Sequence, residues 1–158
     1  MEDVEILDDH LGEERTYEDA SHGSRLANYL LDLIGVYVTM IILVFVTAFA
    51  GILDPHMFDE SNNPGTSNLL GYLIGGVSLV GYYTLLEYTS KGKSLGKLIT
   101  RTRAISEDGQ KLTLTQALLR SLCRLVPFEQ FSFLGGTTRG WHDRWTNTRV
   151  IKDKDWKP

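Results

Sequence analysis

Two long uncharged stretches dominate the pattern of apolar and polar positions along the chain. From Leu33 to Leu53 there are 21 residues without a charge, LIGVYVTMIILVFVTAFAGIL. At 1.5 Å per residue they make about 31 Å of helix, the hydrocarbon thickness of a bilayer. They are apolar on every side, with hydroxyls only at Tyr37, Thr39 and Thr47. The helix of a soluble core seldom needs so long an uncharged run. A second run, Leu69 to Leu86, has 18 residues, or about 27 Å, at the short end of what can cross. It contains Gly71, Gly75, Gly76 and Gly81. The Gly71/Gly75 small-xxx-small pair predicts close packing against the first helix, since lipid supplies no hydrophobic drive for helix association. The pattern thus predicts two antiparallel transmembrane helices, over about 26–53 and 69–87. An external loop, 54–68, marked by Pro55, Asn62, Asn63, Pro64 and Gly65, connects them.

Downstream the pattern changes. Ile99 to Ile105 alternates as a strand does, and Glu107-Asp108-Gly109-Gln110 reads as a turn, predicting a short β-hairpin. Thr113-Leu114-Thr115-Gln116 reads as a capping box and Pro127 as a stop, predicting a helix of about three turns. The apolar stretch 114–134 is no third span, because Arg120, Arg124 and Glu129 interrupt it. Each charge costs about 2.5–3.5 kcal/mol at a helix centre. Arg120 and Arg124 lie one turn apart beside Leu118, Leu119, Leu122 and Leu125, so the helix is expected to lie in the membrane interface or cover the spans. The fold class expected is an all-α membrane protein: two antiparallel transmembrane helices, an amphipathic interfacial helix and a small cap, 88–151, carrying the hairpin. Residues 1–19 read as an acidic disordered tail and 152–158 as a C-terminal tail.

Charge turns this pattern into a topology. The whole chain, 158 residues at a net charge of −4, would pass for a mildly acidic soluble domain. Its parts differ in character. Residues 1–25 hold nine acids and two bases, 54–68 hold three acids and no base, and 88–158 hold 14 bases and six acids. Lys and Arg near the spans set orientation and acids weigh little, so the cap and both termini are expected in the cytoplasm and 54–68 outside. A cleavable signal peptide ending at Ala48-Phe49-Ala50 is disfavoured by the acidic leader, by Asp32 and by the over-long apolar region. The lone Cys123 excludes an intramolecular disulfide and reads as a small packing residue rather than a lipidation site.

The informative ionisable residues lie where the helices meet the cap. Arg25, Asn28, Asp32, Gly35 and Thr39 follow steps of three and four, a polar stripe along one helix face. A carboxylate inside a span is costly and faces a partner or water. Antiparallel spans bring Glu87 to the same level as Asp32, with Tyr83 one turn above it. No ionisable side chain occurs in 33–53 or 69–86 other than tyrosine, so the ionic cluster is confined to one leaflet. Two helices enclose no water path, and transport would require an oligomer. Near the end, Gly140-Trp141-His142-Asp143-Arg144-Trp145 sets tryptophans and charges suited to the headgroup zone. His142 beside Asp143 lacks an activated nucleophile, and a metal held by His142, Asp143 and His22 is disfavoured. Gly92-Lys93-Ser94-Leu95-Gly96-Lys97 lacks the spacing of a phosphate-binding loop.

Taken together, Ala20-Ser21-His22-Gly23-Ser24-Arg25-Leu26 through Asp32, then Glu87, then Gly92 to Lys97, Asp108-Gly109, Leu112 to Pro127, and Gly140 to Asp143 with Asn147-Thr148 resemble the RDD family of bacterial membrane proteins. The family is named for one arginine and two aspartates. Here these look like Arg25, Asp32 and Asp143. The resemblance covers about 20–151 and implies a polytopic inner-membrane protein, with ligand or ion transport suggested and no enzyme established. The candidate ligand, ion or structural cluster is Arg25, Asp32, Asp143 and Glu87, supported by Asn28, Arg120, Arg124 and His142. Asp143 is expected to pair with Arg25 or with an arginine of the cap. No cofactor, metal or catalytic residue is expected. The partners expected are the bilayer with its anionic headgroups, and a second copy or another membrane protein, not nucleic acid. Three readings compete: a transport-related oligomer using Asp32, a non-transporting scaffold or accessory subunit whose Arg/Asp cluster is structural, and, trailing both, a membrane enzyme using His142 and Asp143.

Overall fold

Ser21 opens the first helix. Its backbone is extended and its side chain accepts a hydrogen bond from the Ser24 amide at 3.3 Å, satisfying one of the free N–H groups at the start of α1, His22–Phe49. The computed structural model describes residues 17–52, 56, 64–134 and 138–156, and the acidic stretch 1–16 lies outside them. At 28 residues, α1 is about 42 Å long. It stops short of the expected Leu53 because Gly51 turns the chain at φ 68°. The second helix, α2, Pro64–Thr89, starts before the expected Leu69. Proline needs no hydrogen-bond partner at a helix start, so what read as the end of the loop is the first turn.

Both helices are long and apolar enough to cross a membrane, and only 11% of the most apolar stretch of α1 and 17% of that of α2 is buried. The core helix of a soluble protein would show the reverse. Ile41, Ile42, Phe45, Val46, Leu73 and Val77 all face outward. Where the two helices meet, the glycines do not act as expected. A Cβ on Gly71, Gly75 or Gly81 would meet nothing within 4 Å, and one on Gly76 would meet Leu125. The close approach is made instead by Gly35 of α1, against the Tyr82 ring of α2.

A cap gathers at one end of the pair. Its elements are α3 (Leu95–Thr100), β1 (Thr102–Ser106), α4 (Leu114–Cys123), a 3₁₀ turn (Glu129–Leu134), α5 (Trp141–Trp145), β2 (Thr148–Lys152) and a second 3₁₀ turn (Asp153–Asp155). The expected hairpin is corrected. β1 begins at Thr102 because residues 95–100 are helical, capped by Ser94 and closed by Arg101 in the left-handed region. Its partner is β2, antiparallel, with Thr102 opposite Lys152 and Ser106 opposite Thr148. The turn at Glu107–Gln110 therefore leads into α4 rather than into a second strand. Alternation on the sheet feeds two small cores: Ala104 and Val150 join Ala20 and Leu112, while Ile105 and Ile151 join Tyr17, with Trp156 against them. Residues on either side of the domain thus share its packing, since Asp19 bridges to Ile151 and the Arg103 guanidinium lies 3.9 Å over the Trp156 ring.

The capping box on α4 forms as expected, Thr113 accepting from the Gln116 amide while the Gln116 side chain accepts from the Thr113 amide. The helix is amphipathic with its polar side turned inward. Ala117, Arg120 and Ser121 are buried, while Leu118, Leu119 and Leu122 are exposed.

Candidate functional site

The buried residues of α1 are Arg25, Asn28, Asp32 and Gly35, the first four members of the polar stripe. Steps of three and four put them on the one face that meets the cap and α2. Asp32 is 1% exposed. Its Oδ1 accepts from the Tyr82 hydroxyl at 2.9 Å and from the Gly96 amide at 2.7 Å, and its Oδ2 accepts from the Ser94 hydroxyl at 2.6 Å. Among the described residues Asp32 pairs with no cation, and it ties α1 to α2 and to the first turn of α3 through neutral donors. Gly96 permits this: a Cβ there would lie 2.5 Å from the Asn28 carbonyl oxygen. The Asn28 amide joins Thr100 and Thr102, fastening the other end of α3.

Arg25 turns to Asp143 instead, Nη1 to Oδ2 at 2.5 Å. The other Asp143 oxygen takes Arg120 Nη1 at 2.6 Å. Arg120 then reaches Glu87 through Nε at 3.0 Å, and Glu87 also holds Lys97 at 2.6 Å and Arg124 at 3.5 Å. The expected pairing of Asp143 with Arg25 or a cap arginine is met by both. The resulting chain of ion pairs runs Arg25–Asp143–Arg120–Glu87–Lys97 and visits α1, α5, α4, α2 and α3 in turn. Glu87, Arg120 and Asp143 are fully buried. Burying charges costs several kcal/mol per ion, a penalty offset only when every charge has close partners. Here two carboxylates bridge four cations.

The surroundings tune the charges outside the spans. Burial would raise the Asp143 carboxyl, but His142, Arg25 and Arg120 outweigh it and hold it well below the usual carboxylate range. Burial, with Arg124 nearby, pushes the His142 imidazole down to about 4, so it is neutral at pH 7. Its Nδ1 pairs with Glu129, and its own amide donates to the same carboxylate oxygen. Burial brings the Lys97 ammonium down to about 8 even with Glu87 beside it.

Beside the network lies a cavity of about 30 Å³, room for a water or two. Arg25, Asn28, Asp32, Lys97, Arg124 and His142 are among its walls. Arg25 Nε and Nη2 and Arg124 Nε have no hydrogen-bond partner among the described residues. At the cavity the free capacity is cationic, while Glu129 Oε2, beside His142, is a buried acceptor without a hydrogen-bond partner among the described residues.

All eight residues singled out from the sequence therefore meet at the cap end of the helices, although Asp32 and Arg25 sit in different bond networks. Sequence reasoning missed Lys97, Ser94, Tyr82, Glu129 and Thr148. Ser94 and Lys97 belong to the Gly-Lys-Ser-Leu-Gly-Lys stretch, whose serine is the N-cap of α3 and whose second glycine admits the α1 backbone. Thr148 accepts from Arg120. His22, the third ligand of the disfavoured metal reading, is exposed at the start of α1. Among the described residues no group of three or more His, Cys, Asp or Glu could hold a metal ion.

The model of the RDD family fits residues 20–147. No curated protein and no solved structure matches the chain.

Proposed function

This chain belongs to the RDD family, and from that premise we propose that it is a multi-pass membrane protein whose Arg/Asp cluster is a structural latch. In this reading the latch locks a cytoplasmic cap onto two transmembrane helices, so that the protein serves as a non-transporting scaffold or accessory subunit. The observation that carries it is the set of three neutral donors that hold Asp32. Accepting from Ser94, Gly96 and Tyr82 fills three of the roughly four acceptor positions of the carboxylate, so a cation could be coordinated by both oxygens only by displacing these donors. Removing that carboxylate would instead strand three buried donors. The Lys/Arg distribution supports the orientation, with 14 bases after Glu87 and none in 54–68.

The test is a comparison of wild type and Asp32→Asn reconstituted in liposomes, followed by thermal unfolding in detergent. The latch predicts no ion flux above empty liposomes for either protein and a lower melting temperature for Asp32→Asn. Flux by the wild type that Asp32→Asn abolishes, at unchanged stability, would overturn it.

A second reading, ligand or ion handling by an oligomer, is favoured by the cavity. Its free donors on Arg25 and Arg124, with Lys97 adjacent, suit a small anion and not a metal cation. Halides therefore belong in the liposome panel beside protons and alkali cations. Chloride flux that Arg25→Gln removes would support this reading over the latch.

A further inference from the structure

Residues 114–134 do not stay at the level of the cap. Gln116, in the first turn of α4, still bonds Ser106 of the sheet at 3.0 Å. One turn on, Ser121 hydrogen-bonds Thr84 of α2 at 3.0 Å. The Arg124 guanidinium then lies 4.1 Å over the Tyr83 ring. Finally a Cβ placed on Gly76 would sit 3.8 Å from Leu125 Cδ2. Gly76 is ten residues inside the uncharged run that ends at Leu86, about 15 Å along the helix and close to its middle. After Pro127 the chain returns down the other side, with Phe131 edge-on to Tyr29 of α1 at 6.3 Å. A second cavity between the returning arm and the spans is lined by Leu33, Val36, Leu79 and Glu129.

We propose that 114–134 is a re-entrant hairpin whose tip, Leu125–Phe128, is immersed in the acyl chains of the cap-side leaflet. The inference rests on the membrane reading of α1 and α2. Three features make such an element affordable in lipid. Three amides of the turn bond locally, with Leu125, Val126 and Glu129 donating to the Leu122, Cys123 and Val126 carbonyls. Every charge that argued against a third span points inward, Arg120 and Glu129 being fully buried and Arg124 stacked on Tyr83. The outward side is apolar: Leu118, Leu119, Leu122, Leu125 and Phe131 are exposed, and Phe128 is 74% exposed at the apex. Lipid is the occupant that matches, because the level reached is that of the bare apolar surface of α2 around Val77.

The experiment is spin labelling in proteoliposomes, in a Cys123→Ser background, with single labels at Phe128→Cys, Val77→Cys and Glu107→Cys. Power saturation then compares access of oxygen, which concentrates in acyl chains, with that of a water-soluble nickel chelate. The expected result is an oxygen-to-nickel access ratio at position 128 that matches position 77 and stands severalfold above position 107. Nickel access at 128 with 77 still shielded would overturn the hairpin and leave the membrane reading intact. Nickel access at both 128 and 77 would overturn the membrane reading and the hairpin with it. Shielding of 128 from both reagents would mean that protein covers the tip, which also overturns lipid immersion.

Discussion

Asp32 and His142 owe their states to different partners, and each state has a consequence that can be measured. Asp32 is held by three neutral donors, so Asp32→Ala leaves a hydroxyl pair and an amide buried without an acceptor. The expected loss is about 2–4 kcal/mol of unfolding free energy, read by denaturant titration in micelles. Asp32→Asn should lose less, since one oxygen still accepts. For His142 the folded state binds its proton less readily than the unfolded state, whose ordinary value is 6.5. Between pH 6.5 and about 4 the unfolded chain therefore carries more protons, and stability falls as pH falls through that window. The shift is worth on the order of 3 kcal/mol at its full extent. Melting curves across pH 7 to 4 should show a steeper decline for wild type than for His142→Gln. The positions of Arg25, Asn28 and Asp32 were legible because helical periodicity carries them. Their partners were not, because the donors to Asp32 lie 50 to 64 residues away and hydroxyls and amides leave no charge pattern to read.

At the scale of elements, glycines separate packing from mere thinness. Gly35 and Gly96 sit under Tyr82 and against the Asn28 backbone, while Gly71 and Gly75 face open space. Gly96→Ala must push two backbones apart, because its Cβ would also lie 2.9 Å from Asn28 Cα. It should cost about 1–3 kcal/mol. Gly71→Ala and Gly75→Ala should leave the stability of the single chain within about 0.5 kcal/mol of wild type. Thermal melts of the three variants in one detergent check this contrast. The small-xxx-small spacing was legible, but spacing alone does not say which face of a helix its neighbour covers. The same gap explains the hairpin that was not there. Local alternation suggested a strand near Ile99–Ile105, yet the partner of β1 lies at Thr148–Lys152. The helix that Ser94 caps, α3, takes the first two residues of that stretch, Ile99 and Thr100. The capping box of α4, a wholly local device, was read correctly.

For the molecule as a whole, the long uncharged runs and the family match support a membrane protein, and the Lys/Arg asymmetry supports a cytoplasmic cap. A cysteine at Glu107, on the exposed cap turn, should then react with an impermeant maleimide only from the cytoplasmic side, and one at Asn63 only from outside. Chemical labelling of intact and permeabilised cells reads both. The stronger commitment is that five helices are joined by one chain of ion pairs, Arg25–Asp143–Arg120–Glu87–Lys97. Its most direct test is a double-mutant cycle on Arg25→Met and Asp143→Asn, with unfolding free energy as the readout. The latch predicts that each single change is strongly destabilising and that the pair loses less than the sum by about 2–3 kcal/mol. Losses that add to within about 0.5 kcal/mol would contradict it, because the two residues would then stabilise the molecule independently.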